Sequence, residues 1–277
     1  MADWRAKGKA KADSIIDLIP REWRLESIPT VEEQRDVTGA YIQKFLTKEE
    51  VAITETDAVG IVCNTTGGIW SAVEVAKAFC HRAALAHQLV NCLHEIFFDA
   101  AIADAERADR YLKENGKPIG PLHGLPISLK DQFHVKGVET HMGYIGWIGT
   151  FQGKKGSGKE KVYESEMVRE LRSLGATLYV KTSVPHTLMC GETINNIIGY
   201  TQNPTNRNVS ADISVVASGC EAVYSPLEFW DGDADGKIAC DWWKLWRGRC
   251  ADCPARQSCR VWYRHWRLDS HPSGIQW

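Results

Sequence analysis

The sequence predicts an α/β fold, a sheet with helices packed on it, from three observations. Two short apolar runs, Ile127-Ser128-Leu129-Lys130 and Thr177-Leu178-Tyr179-Val180, read as strands, and the segment between them ends in a helical stripe. That succession is a strand–helix–strand unit, the mark of an α/β sheet. At 277 residues the chain is also long enough for one large domain or two small ones around a sizeable core.

Each element follows from local chemistry. Residues 1–45 form a polar leader with short helical pieces, whose apolar cluster is Ile15 to Ile19. Thr47-Lys48-Glu49-Glu50 has the hydroxyl-then-carboxylate spacing of a helix N-terminus. Ser71 opens a helix with Val75, Ala76, Phe79, Cys80 and Ala83 on one face. Cys80 there is a small core residue. A third helix runs from about Phe98 to Glu114; its Ala101, Ala105, Ala108 and Leu112 make a close-packing face, and Gly116 stops it. From Glu164 to Leu174 the stripe is Met167, Leu171 and Leu174, ended by Gly175.

Composition excludes several classes. A formal charge of −2 gives no reason to expect nucleic acid or an anionic membrane as partner. No apolar run approaches the roughly 20 residues of a membrane span. Met1 to Lys11 is polar and basic without an apolar core, so no secretory signal is read and a cytoplasmic location is the expectation. Gly153-Lys154-Lys155-Gly156-Ser157-Gly158-Lys159 imitates a phosphate-binding loop. Glu160 stands where a magnesium-holding hydroxyl is needed and no apolar strand precedes it, so it reads as a solvated basic loop.

The candidate for chemistry is Lys130. Gly120-Pro121-Leu122-His123-Gly124-Leu125-Pro126 is a punctuated loop feeding a strand that carries this lysine in its apolar run, with Asp131 next. Burial disfavours the charged amine, so a lysine placed there is paired, working, or snorkelling to solvent from a strand end. A neutral amine can act as a base toward a hydroxyl.

Pro121-Leu122-His123-Gly124-Leu125-Pro126-Ile127-Ser128-Leu129-Lys130-Asp131 resembles the lysine segment of the amidase signature family. A second stretch agrees downstream: Thr182-Ser183-Val184-Pro185-His186-Thr187-Leu188-Met189, then Asn195-Asn196-Ile197-Ile198-Gly199, then Asn203-Pro204-Thr205-Asn206-Arg207. Order and spacing agree from about Ser71 to Ala211. The resemblance implies a mixed β-sheet sandwiched between helices, truncated here, with residues 46–211 as the N-terminal part of the amidase domain. It implies hydrolysis of a linear carboxamide by a Lys–Ser–Ser acyl-enzyme mechanism, with no metal or organic cofactor. Lys130 matches the base. Leu188 aligns with a residue lining the substrate pocket. The implied partner is a small-molecule amide; oligomeric state is left open.

The family continues with Gly-Gly-Ser-Ser-Gly-Gly-Glu and then Gly-Thr-Asp-Ile-Gly-Gly-Ser-Ile-Arg-Ile-Pro, and neither is written here. Seven of the eleven Trp and five of the nine Cys instead crowd the last quarter of the chain. The single Trp codon, read one base later, always gives Gly. Trp242-Trp243 then gives Gly-Gly, Lys244-Leu245 can give Ser-Ser, and Trp246 gives Gly. Trp262 to Leu268 can give Gly-Thr-Asp-Ile-Gly-Gly-Ser. Residues 242–277 are therefore expected to be the amidase signature translated out of frame, and 212–241 a read-through of non-coding sequence.

On that reading both serines are missing, the bridging one under Lys244-Leu245 and the nucleophile under Leu268, and the chain as written is expected to be inactive. Ser128, Ser183 and Ser210 sit at no matching position. Asp231, Asp233, Asp235 and Gly236 begin like a calcium loop, but Trp242 stands where the bidentate Glu is needed. The alternative is a C-terminal zinc-binding interaction module, built from Cys250, Cys253, Cys259, His265 and His271, appended to an inactive amidase half.

Overall fold

Asp3 opens α1 (Trp4–Asp17) by accepting from the Arg5 backbone N–H, and Ile15 and Ile19 are buried beneath it. The computed structural model describes residues 3–188 and 190–210. Gly8, near the middle of α1, decides how closely the helix approaches: a Cβ there would lie 2.6 Å from the Asn196 carbonyl oxygen. A side chain would push the helix off the loop at Asn196.

Thr47 and Glu50 form the expected reciprocal cap on α2 (Lys48–Thr54), and Asp57 caps α3 (Ala58–Thr66). Ser71 and Glu74 repeat the capping box on α4 (Ala72–Val90), where Val75, Ala76, Phe79, Cys80 and Ala83 are buried as their spacing requires. That helix end has a second cap that the sequence does not announce. Asp109 reaches across from a neighbouring helix and accepts from the backbone N–H of Ala72 and Val73 at 2.7 and 3.1 Å.

Asn91, left-handed at φ 57°, ends α4 and leads into β1 (Leu93–Ile96). Next comes α5 (Phe98–Asn115), the helix that carries Asp109; its Ala105 and Ala108 pack on Ala72 and Ala76 of α4. Then come β2 (Pro126–Lys130), a long irregular loop, α6 (Glu166–Ser173) and β3 (Thr177–Thr182). Two short hairpins follow, β4 (Ile194–Asn195) with β5 (Gly199–Tyr200) and β6 (Gln202–Asn203) with β7 (Asn206–Ser210).

The central sheet has the order β1-β3-β2. The pair β2–β3 is parallel across α6, as the strand–helix–strand reading requires, and β1–β3 is antiparallel, so the sheet is mixed. Phe79 of α4 meets Tyr179 of β3 edge to face, with ring centroids 6.2 Å apart, and both are fully buried. Two details differ from the sequence reading. The fully buried residue of α6 is Val168, while Met167, Leu171 and Leu174 are half-buried. Strand β3 runs two residues past Val180 and carries Lys181 into the core. The basic stretch 153–159 is exposed. No helix among the described residues is long and apolar enough to cross a membrane.

Candidate active site

Lys130 is the last residue of β2, half-buried, with Thr182 as its register partner on β3. Burial pushes its amine below the ordinary lysine value. Among the described residues its Nζ has no hydrogen bond and no ion pair. The backbone turns at once: the Lys130 carbonyl accepts from Phe133 N–H at 3.1 Å. Leu188 closes a 3-10 turn (His186–Leu188) just after β3, with its backbone in the left-handed region at φ 64°. Because β2 and β3 are parallel, Lys130 lies at the carboxyl end of that pair, the edge where α/β sheets present ligand sites, and Leu188 follows six residues after β3 ends there.

Asp131 belongs to a different environment. It is fully buried and gathers donors from four directions. The Lys181 ammonium lies 2.6 Å from Oδ1. On Oδ2, His94 Nδ1 lies at 2.9 Å, His141 Nδ1 at 3.1 Å and the Met142 N–H at 2.8 Å. Lys181, itself fully buried, also donates to the Glu139 carbonyl and the Thr140 hydroxyl, both at 2.7 Å. His141 Nε2 reaches Glu95 Oε1 at 2.9 Å, and Lys11 of α1 binds Glu95 at 2.6 Å and Glu139 at 3.2 Å.

Backbone geometry assembles this cluster. Leu129 and Lys181 are register partners, as are Lys130 and Thr182, so the two lysines leave their strands on opposite faces. A bulge in β1 between Leu93 and Glu95 lets His94 and Glu95 both reach the cluster. Met142 and Gly143 are both left-handed, at φ 49° and 76°, and a Cβ on Gly143 would lie 3.0 Å from Asn195 Cβ. The loop can therefore close over the cluster only with glycine there. Asn195 Oδ1 accepts from Ile197 and Ile198 N–H, which leaves its Nδ2 to donate to His94 Nε2 at 3.0 Å. His94 is thereby assigned the tautomer with its proton on Nδ1, aimed at Asp131.

Charges in the cluster cancel. Asp131, Glu95 and Glu139 face Lys181, Lys11 and His141, with Lys161 adding a half-exposed contact to Glu139 at the rim. Burial by itself would raise the Asp131 carboxyl; Lys181 and His141 hold it well below the usual carboxylate range. Burial would likewise lower His141, but Asp131 and Glu95 raise it to about 9. The donor atoms of His94, Asp131 and His141, and those of Glu95, Glu139 and His141, lie within 4.8 Å of one another. Neither set suits a metal ion, because protons and the two ammonium groups already fill it; a cation would have to displace Lys181 or Lys11. A cavity of about 230 Å³ between His134, Glu139, Phe151 and Tyr163 lies in the loop region and is not lined by Lys130.

The structure places Lys130 at the end of β2 and Leu188 in the turn after β3, and adds the charge cluster, of which the sequence reading had singled out no member for chemistry. Lys181 was the findable one: the desolvation argument applied to Lys130 holds more strongly for a lysine that extends an apolar strand. The expected out-of-frame segment and the alternative zinc ligands Cys250, Cys253, Cys259, His265 and His271 lie outside the described residues.

Comparison with known proteins gives consistent likenesses. The model of the family described as Amidase matches residues 74–220. An acetamidase of Aspergillus oryzae is 45% identical over 214 residues, covering 76% of this chain and 36% of that protein. An acetamidase of Emericella nidulans is 45% identical over 207 residues, covering 75% and 36%. A probable amidase of Saccharomyces cerevisiae is 38% identical over 210 residues, again 75% and 36%. Among solved structures, a fatty acid amide hydrolase superposes with a TM-score of 0.69 at 38% identity, over 79% of this chain and 38% of that one. The chain spans little more than a third of the length of these relatives.

Proposed function

Because the chain belongs to the amidase family, we propose that the intact protein hydrolyses a linear carboxamide to a carboxylic acid and an amine or ammonia. Lys130 is the base. Its neutral amine takes the proton of a bridging serine, which in turn takes the proton of the nucleophilic serine as that oxygen attacks the amide carbon. The acyl-enzyme so formed is hydrolysed by water to release the acid. Both serines come from the glycine-rich signature that the Trp-coded glycines from Trp242 onward spell one base later, and glycine runs let backbone N–H groups approach the oxyanion. The chain as written, without those serines, is inactive.

One observation carries the reading. Lys130 is a half-buried lysine at the carboxyl end of a parallel strand, with its amine pushed toward the neutral form and no carboxylate partner among the described residues. Lys181, the other lysine of this strand pair, is by contrast fully buried and paired. The relatives named above run from acetamidases to a fatty acid amide hydrolase, so short-chain and long-chain carboxamides are the substrates to compare.

The first test is the mature transcript across the codons for Asn203 to Leu268. The expected message restores Gly-Gly-Ser-Ser-Gly-Gly-Glu in frame; a message identical to the chain as written removes the serines from the proposal. The protein made from the restored frame is expected to hydrolyse a simple carboxamide, with kcat reduced roughly 10²–10⁴-fold in Lys130→Ala. Full activity in Lys130→Ala would overturn the assignment of the base.

A further inference from the structure

We propose that Lys181 is a positioning residue for Lys130: by neutralising Asp131 on the far side of β2, it denies Lys130 the carboxylate next to it in sequence and leaves its amine free to shed a proton. This rests on the reading of Lys130 as the base.

Sequence neighbourhood creates the problem that the proposal solves. Asp131 follows Lys130 directly, and a carboxylate beside a lysine stabilises the ammonium, the form that cannot act as a base. Here the strand turns Asp131 away from Lys130, and Lys181 meets its Oδ1 at 2.6 Å with both groups fully buried. His94, His141 and Met142 N–H satisfy Oδ2. With an ammonium against Oδ1 and three donors around Oδ2, the carboxylate has no net charge left to hold a second lysine.

Compensation extends through the groups packed around β2. Glu95 and His94 come from β1, Lys181 from β3, His141 and Glu139 from the loop above, and Lys11 from α1, with His134 further along that loop. Three carboxylates meet Lys181, Lys11 and His141, so the cluster on the far side of β2 carries no net charge apart from the half-exposed Lys161 at its rim. Burial lowers the Lys130 amine below its ordinary value. The alternative role for Lys181, holding the loop through the Glu139 carbonyl and Thr140, requires only a donor of similar length.

The two roles separate in an experiment that needs no amidase activity. In the full chain, trace acylation with acetic anhydride across a pH series, read by mass spectrometry of the peptide containing Lys130, gives the titration of that single amine. Lys181→Gln leaves the cluster negative, and labelling of Lys130 at neutral pH is expected to fall about tenfold, one unit of titration. Glu95→Gln leaves it positive and should change labelling in the opposite direction. Lys181→Arg keeps the charge and should leave the titration in place. Circular dichroism identifies variants that remain folded, and Glu95→Gln tests the proposal if Lys181→Gln does not fold. Labelling that shifts the same way in Lys181→Gln and Glu95→Gln, or in neither, would overturn the proposal. Failure of the amidase reading is seen separately, in the restored protein's activity on carboxamides and its response to Lys130→Ala.

Discussion

Removing the His141 charge provides a sharp test of the buried cluster. Burial alone would depress this imidazole, yet Asp131 and Glu95 raise it to about 9 from an ordinary 6.5. A group raised on folding stabilises fully below its unfolded pKa and loses that contribution as pH climbs through its folded one. The window is therefore pH 6.5 to about 9. With each pKa unit worth 1.36 kcal/mol, the chain should lose about 2 kcal/mol between pH 6.5 and 8.5. The other histidines with resolved shifts do not blur this window. His87, lowered to about 4, and the depressed His123 and His134 titrate below it, and the buried Cys80 thiol matters only at higher pH. Urea unfolding at several pH values, in the wild type and in His141→Gln, measures the effect. The variant is expected to be less stable at pH 6.5 and to lack the decline. Equal slopes in the two proteins would refute the charged, doubly paired His141.

Three further outcomes follow. Asp109→Ala removes two charge-assisted caps from α4 and should cost about 1–2 kcal/mol in urea unfolding, whereas Asp104→Ala on the same helix tests whether any acidic residue of α5 would do as much. Leu188→Gly relieves a left-handed backbone costing roughly 1–3 kcal/mol, so the folded chain should not be destabilised; in the restored enzyme it should raise KM if Leu188 lines the pocket. Native alkylation with iodoacetamide, mapped by peptide mass, should modify the exposed Cys190 and spare Cys80 and Cys92, which react only after unfolding.

How much of this was written in the sequence depends on the range of the interaction. Caps were legible because Thr47 with Glu50 and Ser71 with Glu74 act within one turn, and the buried face of α4 because its spacing is that of a helix. Lys130 was legible as a lysine in an apolar strand. The same sign at Lys181 went unread because the apolar run stops at Val180, and whether a strand continues is decided by its partners, here Leu129 and Glu95. The rest of the cluster had no local signal. Lys11, His94, Asp131, His141 and Lys181 come from five separate segments, and a β1 bulge and a glycine loop bring them together. Asp109 is a similar case: it acts on backbone groups 36 and 37 residues away.

The position of Lys11 on the first helix has a consequence for the chain while it is being made. Lys11 and Glu95 leave the ribosome early, but the cation that neutralises Asp131 is Lys181, and the amide that orients His94 is Asn195. At ordinary elongation rates, roughly ten seconds separate Glu95 from Lys181. Throughout that interval the half-made cluster holds uncompensated charge, which favours hydration over collapse. The N-terminal helices can form as they emerge, but the sheet has reason to wait. Its closure becomes a checkpoint, passed only when the last of these distant partners arrives.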